Sequence, residues 1–214
     1  MPRYAVYCVP DGAFGDRGAS WLGWDVRRGR PVHPNAAPDE WAATPRRYGF
    51  HATLKPPMRL ADGYEASDLR AAVADLAACT APASAQGLTV EALDGFVALR
   101  PEGAQDLDRV AAACVEGLDA FRAPPLPDET ARRRATKLTA AQEAMLARWG
   151  YPYVMEEFRF HLTLSGRVVD PDAVAAAARG HFGTLPAPFT LDAIVLCVEG
   201  DDGFRQVHRA PLAG

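Results

Sequence analysis

The chain has 214 residues, of which 49% are apolar and 23% charged, and its formal net charge is −4. The length allows one sizeable domain or two small lobes with a shared core, and the acidic balance argues against a broad nucleic-acid-binding surface. No apolar run approaches the roughly 18 residues of a membrane helix. The N-terminal segment MPRYAVYCVP lacks the features of a signal peptide, so we expect a cytoplasmic globular protein with no membrane partner.

The first half of the chain predicts strands, two helices and one hairpin. In chain order we predict a strand at 3–10, a loop at 10–25, a strand at 48–57, a helix at 64–80, a hairpin at 88–102 and a helix at 105–121. The predicted loop contains several glycines and a proline, which favour turns. It overlaps the start of a tryptophan-rich stretch, residues 12–44. Asp94-Gly95 is typical of the turn of a hairpin.

The second half begins with a proline-rich connector at 123–129. We then predict a helix in the second half of 130–152, a strand at 158–169, a helix at 171–183 and a closing hairpin at 189–212. Thr139 with Gln142 forms a capping-box pattern, and Gly150 ends that helix. The inserted segment 125–150 has no functional signature. Its arginine triplet, 132–134, is interpreted as a solvated helix face rather than a nucleic-acid patch.

This order of elements predicts the fold class. Most strands come in hairpins rather than alternating singly with helices, which favours an α+β protein with antiparallel sheets. The four cysteines are far apart and form no Cys-x-x-Cys pair, so we expect reduced core residues and no zinc site. His33, His181 and His208 lie in no metal-binding spacing, and we expect them to be structural or exposed.

Two short stretches of the chain share one sequence motif. Residues 48–54 read YGFHATL and residues 158–164 read FRFHLTL, so each places His-x-Thr-Leu after a phenylalanine. Because strand side chains alternate between faces, His51, Thr53 and Lys55 should share one polar face. By the same alternation, the polar face of the second strand should carry Arg159, His161, Thr163 and Ser165. Facing each other, the two rows would line one cleft.

These residue types suit phosphate chemistry. Two imidazoles on opposite sides of a substrate can act as general base and general acid. Threonine hydroxyls can bind phosphate oxygens, and nearby Arg or Lys can neutralise developing charge. Arginines and lysines flank both motifs, which indicates a small anionic ligand in an otherwise acidic protein. The pattern predicts hydrolysis of a phosphodiester, especially a strained cyclic one, without a metal or cofactor.

At these residues the sequence resembles the 2H phosphoesterase superfamily, which is named for two His-x-Thr/Ser motifs. The wording RRYGFHATLKPPMRL and RWGYPYVMEEFRFHLTLSGRV is similar to the branch found beside phosphonate-utilisation genes, and the resemblance spans nearly the whole chain. It implies a single bilobal domain over 1–214, with two pseudo-symmetric antiparallel sheets, outer helices and a central cleft. It also implies His51 and His161 as the acid–base pair.

The remaining candidate site residues rest on different arguments. The resemblance implies Thr53 and Thr163 as phosphate ligands, whereas Lys55, Arg159 and Ser165 follow from strand alternation. Arg47 joins them only if the first strand extends back through Gly49. Tyr48 and Tyr7 are further candidates, although a strand tyrosine is often a core residue.

Two alternative functions stay open at this point. One is an RNA-end-processing enzyme, in which the tryptophan-rich stretch and the arginine triplet contact RNA, although the acidic charge disfavours a long footprint. The other is a non-catalytic module that binds a nucleotide or sugar phosphate. The exact substrate, the ester bond cleaved, the roles of the two histidines and the oligomeric state do not follow from the sequence.

Overall fold

The computed structural model describes residues 2–93 and 95–214, which form eleven strands and seven α-helices. The strands are β1 (Tyr4–Cys8), β2 (Trp24–Asp25), β3 (Arg30–Pro31), β4 (Ala52–Met58), β5 (Ala83–Ala85), β6 (Gly87–Leu93), β7 (Phe96–Glu102), β8 (Leu162–Thr163), β9 (Phe189–Leu191), β10 (Ala193–Glu199) and β11 (Phe204–Pro211). The helices are α1 (Gly12–Leu22), α2 (Asp39–Arg46), α3 (Ala66–Ala78), α4 (Gln105–Gly117), α5 (Pro127–Arg134), α6 (Ala140–Trp149) and α7 (Pro171–Phe182).

Two main sheets form the two lobes. The first has the strand order β11-β10-β1-β4 and the second β6-β7-β8, and every neighbouring pair in both is antiparallel. Helices α3 and α4 pack on the first sheet, and α7 packs on the second. This arrangement confirms the predicted α+β class. The two His-x-Thr stretches fall in different sheets, since one runs into β4 and the other into β8.

The main apolar core lies on one face of both sheets. Val6 from β1, Leu54 from β4, Leu99 from β7 and Leu162 from β8 are all buried in it. Since strand side chains alternate, the neighbours of these residues project from the opposite faces. A second, smaller apolar cluster, which includes Tyr7, covers part of that opposite face on the four-stranded sheet.

The predicted loop at 10–25 is wrong, because most of it forms α1. The Asp11 carboxylate caps this helix by accepting from the Gly12 amide at 2.9 Å, and Gly23 ends it in the left-handed conformation. Two of the glycines that suggested a loop, Gly15 and Gly18, allow close packing inside the helix instead. A Cβ at Gly18 would lie 1.9 Å from the Phe50 ring, so only glycine permits this approach.

The inserted segment contains one helix more than predicted. The predicted helix α6 is present with its cap, since the Thr139 hydroxyl accepts from the Gln142 amide at 3.2 Å. The additional helix is α5, which starts with Pro127 and is capped by a bond of 3.0 Å from the Leu126 amide to the Glu129 carboxylate. Both helices are therefore stabilised locally at their first turns.

The predicted hairpin is present, whereas the second marked strand and one cysteine differ from the prediction. The hairpin of β6 and β7 is present, with Leu93 opposite Phe96, and Asp94 of its predicted turn lies outside the described residues. The second marked strand is much shorter than predicted, because only Leu162–Thr163 pairs as β8. All four cysteines are unpaired, and Cys79 is exposed rather than part of the core. No described helix is both long and apolar enough to cross a membrane.

Replacing Gly18 with alanine should destabilise the fold. The added methyl group would collide with the buried Phe50 ring, and overpacking of this kind costs about 1–3 kcal/mol. The matched control is Gly180→Ala in α7, where a Cβ meets nothing within 4 Å and where alanine should raise helix stability by up to about 1 kcal/mol. Chemical denaturation of both variants measures the difference, and equal unfolding free energies would contradict the proposed packing.

Candidate active site

His51 lies at the entrance to β4 and is held on three sides. Its Nδ1 is 2.9 Å from the Gly49 carbonyl, its Nε2 is 3.1 Å from the Thr53 hydroxyl, and the Tyr7 ring stacks on it at 3.8 Å. Because a carbonyl only accepts hydrogen bonds, Nδ1 must carry the proton. In the neutral ring, Nε2 is therefore the basic nitrogen, and it accepts a hydrogen bond from the Thr53 hydroxyl.

His161 uses the same arrangement at the entrance to β8. Its Nδ1 donates to the Arg159 carbonyl at 2.7 Å, again two residues earlier in the chain. The Phe96 ring lies 5.9 Å from the imidazole, and Thr163 pairs with Ala98 of β7. As in the first motif, the backbone fixes the tautomer and leaves Nε2 as the nitrogen that can accept or return a proton.

The two imidazoles influence each other. Desolvation lowers the pKa of His51 to about 4, the bond to the Gly49 carbonyl opposes this shift, and the nearby His161 adds to it. Desolvation also lowers the pKa of His161, and Arg100 contributes in the same direction. Both shifts favour the neutral imidazole at pH 7 in the free protein, and the two rings lie within electrostatic reach of each other.

Buried aromatic rings anchor both motifs from behind. Phe50 packs against Phe182 with ring centres 5.6 Å apart, and Phe160 packs against Phe189 at 5.8 Å. The Trp21 indole of α1 also donates to the carbonyl of Leu164, at 2.8 Å. With this bond α1, which packs on Phe50, also holds the strand that carries His161. Trp21 is therefore a core anchor, and 2% of its surface is exposed.

Lys55 does not share the face of His51 and Thr53, so this expectation is wrong. The register of β4 against β1 pairs Tyr7 with Thr53 but Val6 with Lys55, which leaves a bulge at Leu54. The bulge reverses the alternation and turns Lys55 toward the helices. Its ammonium donates to the Val115 carbonyl at 2.9 Å, and desolvation lowers its pKa to about 8.

Ser165 and Arg159 are also engaged away from the cleft. The buried Ser165 hydroxyl accepts from the Val97 amide at 2.9 Å and donates to the Gly166 carbonyl at 2.9 Å. The exposed Arg159 guanidinium donates to the Glu156 and Phe158 carbonyls, at 2.8 and 2.5 Å. The hydroxyl of Ser165 therefore closes the end of β8 onto β7, contrary to the expectation that it lines the polar row.

The remaining predicted residues lie around the first motif. Arg47 is exposed and pairs with Glu199 at 3.0 Å. Tyr48 is partly buried, with its ring 6.3 Å from that of His51. Tyr7 is fully buried beneath His51, and its hydroxyl has no hydrogen-bond partner among the described residues. Tyr7 therefore restricts and desolvates the imidazole.

Arg100 in β7 lies beside the second motif, although no sequence pattern indicated it. The pairing of Ala98 with Thr163 and of Leu99 with Leu162 places Arg100 beside His161, on the face opposite the core. Its Nε lies 3.9 Å from the Glu91 carboxylate and is buried without a hydrogen-bond partner among the described residues. Strand alternation in the predicted hairpin shows which face of β7 carries Arg100. Its position beside the second motif depends on the pairing of β7 with β8, which the sequence does not show.

Other features of the described chain lie outside this cleft. The His181 imidazole bonds to the Arg17 carbonyl at 2.9 Å, which is a structural role as expected. His208 lines a separate cavity of about 770 Å³ between α3 and the four-stranded sheet, together with Arg70 and Arg205. Among the described residues, no cluster of three or more His, Cys, Asp or Glu side chains could hold a metal ion.

The chain belongs to the family described as "Protein of unknown function (DUF1045)", whose model matches residues 53–205. It is 36% identical over 233 aligned residues to the protein named ribose 1,5-bisphosphate phosphokinase PhnN of Janthinobacterium sp. (strain Marseille), covering 100% of this chain and 51% of the relative. The protein of the same name from Laribacter hongkongensis (strain HLHK9) is 38% identical over 217 residues, covering 94% and 49%. The chain thus spans about half the length of these relatives. A solved structure described as "Crystal structure of phosphoesterase" is 13% identical over 100% of both chains, with a TM-score of 0.46.

Replacing Ser165 with alanine should reduce stability. The buried Val97 amide would lose the Ser165 hydroxyl as its acceptor, which costs about 1–3 kcal/mol. Ser84→Ala, which removes an exposed 3.3 Å hydroxyl contact from β5 to Thr190, is the control and should cost less, about 0.2–1 kcal/mol. Urea unfolding of the two variants tests this; a Ser165→Ala protein as stable as the control would show that the hydroxyl does not hold β8.

Proposed function

We propose that this chain is a phosphoesterase of the two-histidine type that hydrolyses a small cyclic phosphodiester. The observation that carries the proposal is the matched pair of imidazoles. His51 and His161 each donate Nδ1–H to a backbone carbonyl, so each leaves Nε2 available for proton transfer. Thr53 and Thr163 lie two residues further along their strands, where their hydroxyls can donate to phosphate oxygens.

The reaction uses one water and needs no net proton from solvent. One imidazole takes a proton from water through Nε2 while the water oxygen forms a bond to phosphorus. The bond from phosphorus to one ring-closing sugar oxygen breaks, and the other histidine donates a proton from Nε2 to that oxygen. The products are a sugar hydroxyl and a phosphate monoester, and a proton transfer between the histidines or through solvent restores the starting state.

We assign the base role to His51 and the acid role to His161. The lowered pKa of His51, about 4, keeps its Nε2 unprotonated at neutral pH, as a base requires. His161 must be protonated to act as the acid, and the negative charge of a bound phosphate favours that form. The Thr53 hydroxyl, which bonds to Nε2 of His51 in the free protein, would turn to a phosphate oxygen and release the nitrogen for water.

Arg100 is the cation best placed to stabilise the transition state. It lies beside His161 on the face of β7 opposite the core, and its Nε–H has no hydrogen-bond partner among the described residues. A guanidinium in a partly desolvated site can neutralise the charge that develops on the phosphate oxygens. Lys55, which we expected in this role from the sequence, is not part of the proposed mechanism.

The relatives support a phosphorylated ribose as the substrate class. Their printed name contains ribose 1,5-bisphosphate, a sugar with phosphate at both ends. The name also describes a kinase, but the two lysines of this chain, Lys55 and Lys137, follow Leu54 and Thr136, so the GxxxxGK[ST] phosphate loop is not in this sequence. We therefore do not propose a kinase activity for this chain. The resemblance to the phosphonate-associated branch suggests a phosphoribosyl cyclic phosphate.

Replacing either histidine should abolish most of the turnover. The assay is hydrolysis of a panel of 2′,3′-cyclic nucleotides and phosphoribosyl 1,2-cyclic phosphate in the presence of EDTA. His51→Ala and His161→Ala should each lower kcat by on the order of 10²–10⁴, because each removes a proton-transfer group. His33→Ala, which changes an exposed histidine that belongs to neither motif, should keep the wild-type rate.

Each contrary result has a distinct meaning. A histidine variant with full activity removes that residue from the mechanism, and loss of turnover on chelation points to a bound metal. A folded wild-type protein that binds cyclic phosphates tightly but turns over none of them would support the non-catalytic binding module instead.

A further inference from the structure

A cavity of about 770 Å³ lies between α3 and the four-stranded sheet, away from the two histidine motifs. Tyr4 of β1 lines this cavity, whereas Tyr7, which stacks on His51, projects from the other face of the same strand. The cavity and the His51 imidazole therefore lie on opposite faces of one sheet. Small-molecule sites typically have volumes of about 300–1,000 Å³, so the cavity is large enough for a ligand of that size.

Strand pairing forms the sheet side of the cavity. Val198 of β10 lies opposite both Tyr4 of β1 and Arg205 of β11, and Leu196 lies opposite His208. Directly opposed residues of an antiparallel pair project from the same face, and all five side chains line the cavity. This side is therefore apolar and aromatic in β1 and β10, with an arginine and a histidine in β11.

Helix α3 forms the opposite wall and contributes a second arginine, Arg70. The positions three and four residues from Arg70 hold Ala66, Ser67, Val73 and Ala74, so the helix offers its guanidinium no carboxylate. Two of these neighbours, Ala66 and Ala74, also line the cavity and keep this wall apolar. The sequence of α3 thus places a cation beside an apolar surface without an intrahelical partner.

The cavity carries positive charge that no carboxylate of the described chain neutralises. Neither Arg70 nor Arg205 forms an ion pair with any described residue. Glu199 is the one acidic side chain among the described residues that line the cavity. Its carboxylate already accepts from Arg3 at 2.7 Å and from Arg47 at 3.0 Å. The guanidiniums of Arg70 and Arg205 are therefore available to an anion.

The charge and the walls together define the ligand class. A phosphate monoester carries a charge of about −1.5 to −2 near pH 7, which two guanidiniums can match, whereas a monocarboxylate would leave one of them uncompensated. Guanidinium N–H groups also fit the geometry of phosphate oxygens. The alanine, valine, leucine and tyrosine side chains of the two walls suit an apolar or aromatic body rather than a second charged group.

We propose that this cavity is a second ligand site, which binds a phosphate monoester with an apolar or aromatic body through Arg70 and Arg205. The phosphate lies at the two guanidiniums, and the body packs between α3 and the strands β1 and β10. The site is separate from the one that contains His51 and His161, and the inference does not depend on hydrolysis there.

NMR of ¹⁵N-labelled histidine distinguishes the two sites in one spectrum. The probe is phenyl phosphate, titrated into the wild-type protein, with inorganic phosphate and phenol as reference ligands. Because His208 lines the cavity, phenyl phosphate should shift its resonances, which are assigned through His208→Gln. Binding between the two motifs would instead shift those of His51 and His161. Inorganic phosphate should bind more weakly than phenyl phosphate, and phenol should leave His208 unchanged.

Arg70→Met and Arg205→Met test the two cations. Each variant should weaken the binding of phenyl phosphate, measured from the His208 shift, by about 10-fold, because each loses charged hydrogen bonds to the phosphate. Both arginines are exposed, so neither substitution should prevent folding.

Arg132→Met is the matched control. Arg132 is exposed in α5 and donates to the Asp128 carbonyl at 3.3 Å, so its loss should leave the affinity unchanged. The neighbouring Arg133 is unsuitable, since its guanidinium turns inward and lies 4.3 Å from the centre of the Tyr151 ring. The interpretation of the arginine triplet as a solvated helix face therefore holds for Arg132 and Arg134 but not for Arg133.

Three results would overturn the second site. One is a His208 resonance that stays unchanged throughout the titration, whether or not His51 and His161 respond. Another is wild-type affinity in both Arg70→Met and Arg205→Met. The third is an equal loss of affinity in Arg132→Met, which would show non-specific attraction of the phosphate to surface arginines.

Discussion

The bond from each motif imidazole to the carbonyl two residues earlier is the constraint on which the site depends. It determines which ring nitrogen carries the proton, and so which nitrogen is left for chemistry. In the first motif Gly49, with a φ of 74°, turns its carbonyl under His51; in the second, the Arg159 carbonyl serves His161. Two sheets thus supply the same chemical group in the same tautomer, although their strands differ in length.

Core packing behind the two motifs fixes their positions relative to each other. Phe50 and Phe160 are buried in the same core, on the faces away from the cleft. Helix α1 contacts both halves, because Gly18 lies against Phe50 while the Trp21 indole holds the Leu164 carbonyl. The separation of the two histidines is therefore set by core packing, and a change in α1 should affect stability and the site together.

Site residues whose orientation follows from strand alternation could be predicted from the sequence. Those whose orientation depends on pairing with a second strand or packing against a helix could not. Thr53 could be assigned to the face of His51 because apolar neighbours mark the other face. Lys55 could not, since the bulge that reverses its direction arises from pairing with β1. The bond of Ser165 to Val97 and the inward turn of Arg133 likewise require a second strand or a packed helix. Helix α1 was not predicted for the same reason, because Gly15 and Gly18 are explained by the tertiary contacts that they permit.

Nitrogen NMR of the imidazoles tests the assignment of Nδ1–H to both rings and does not require the substrate to be known. With ¹⁵N-labelled histidine and assignment through His51→Ala and His161→Ala, the spectra report tautomer and pKa for each ring. The assignment predicts the Nδ1–H tautomer for both rings, with both pKa values below 6.5 and that of His51 at about 4. An Nε2–H tautomer, or a pKa of 6.5 or higher in the free protein, for either histidine would contradict it.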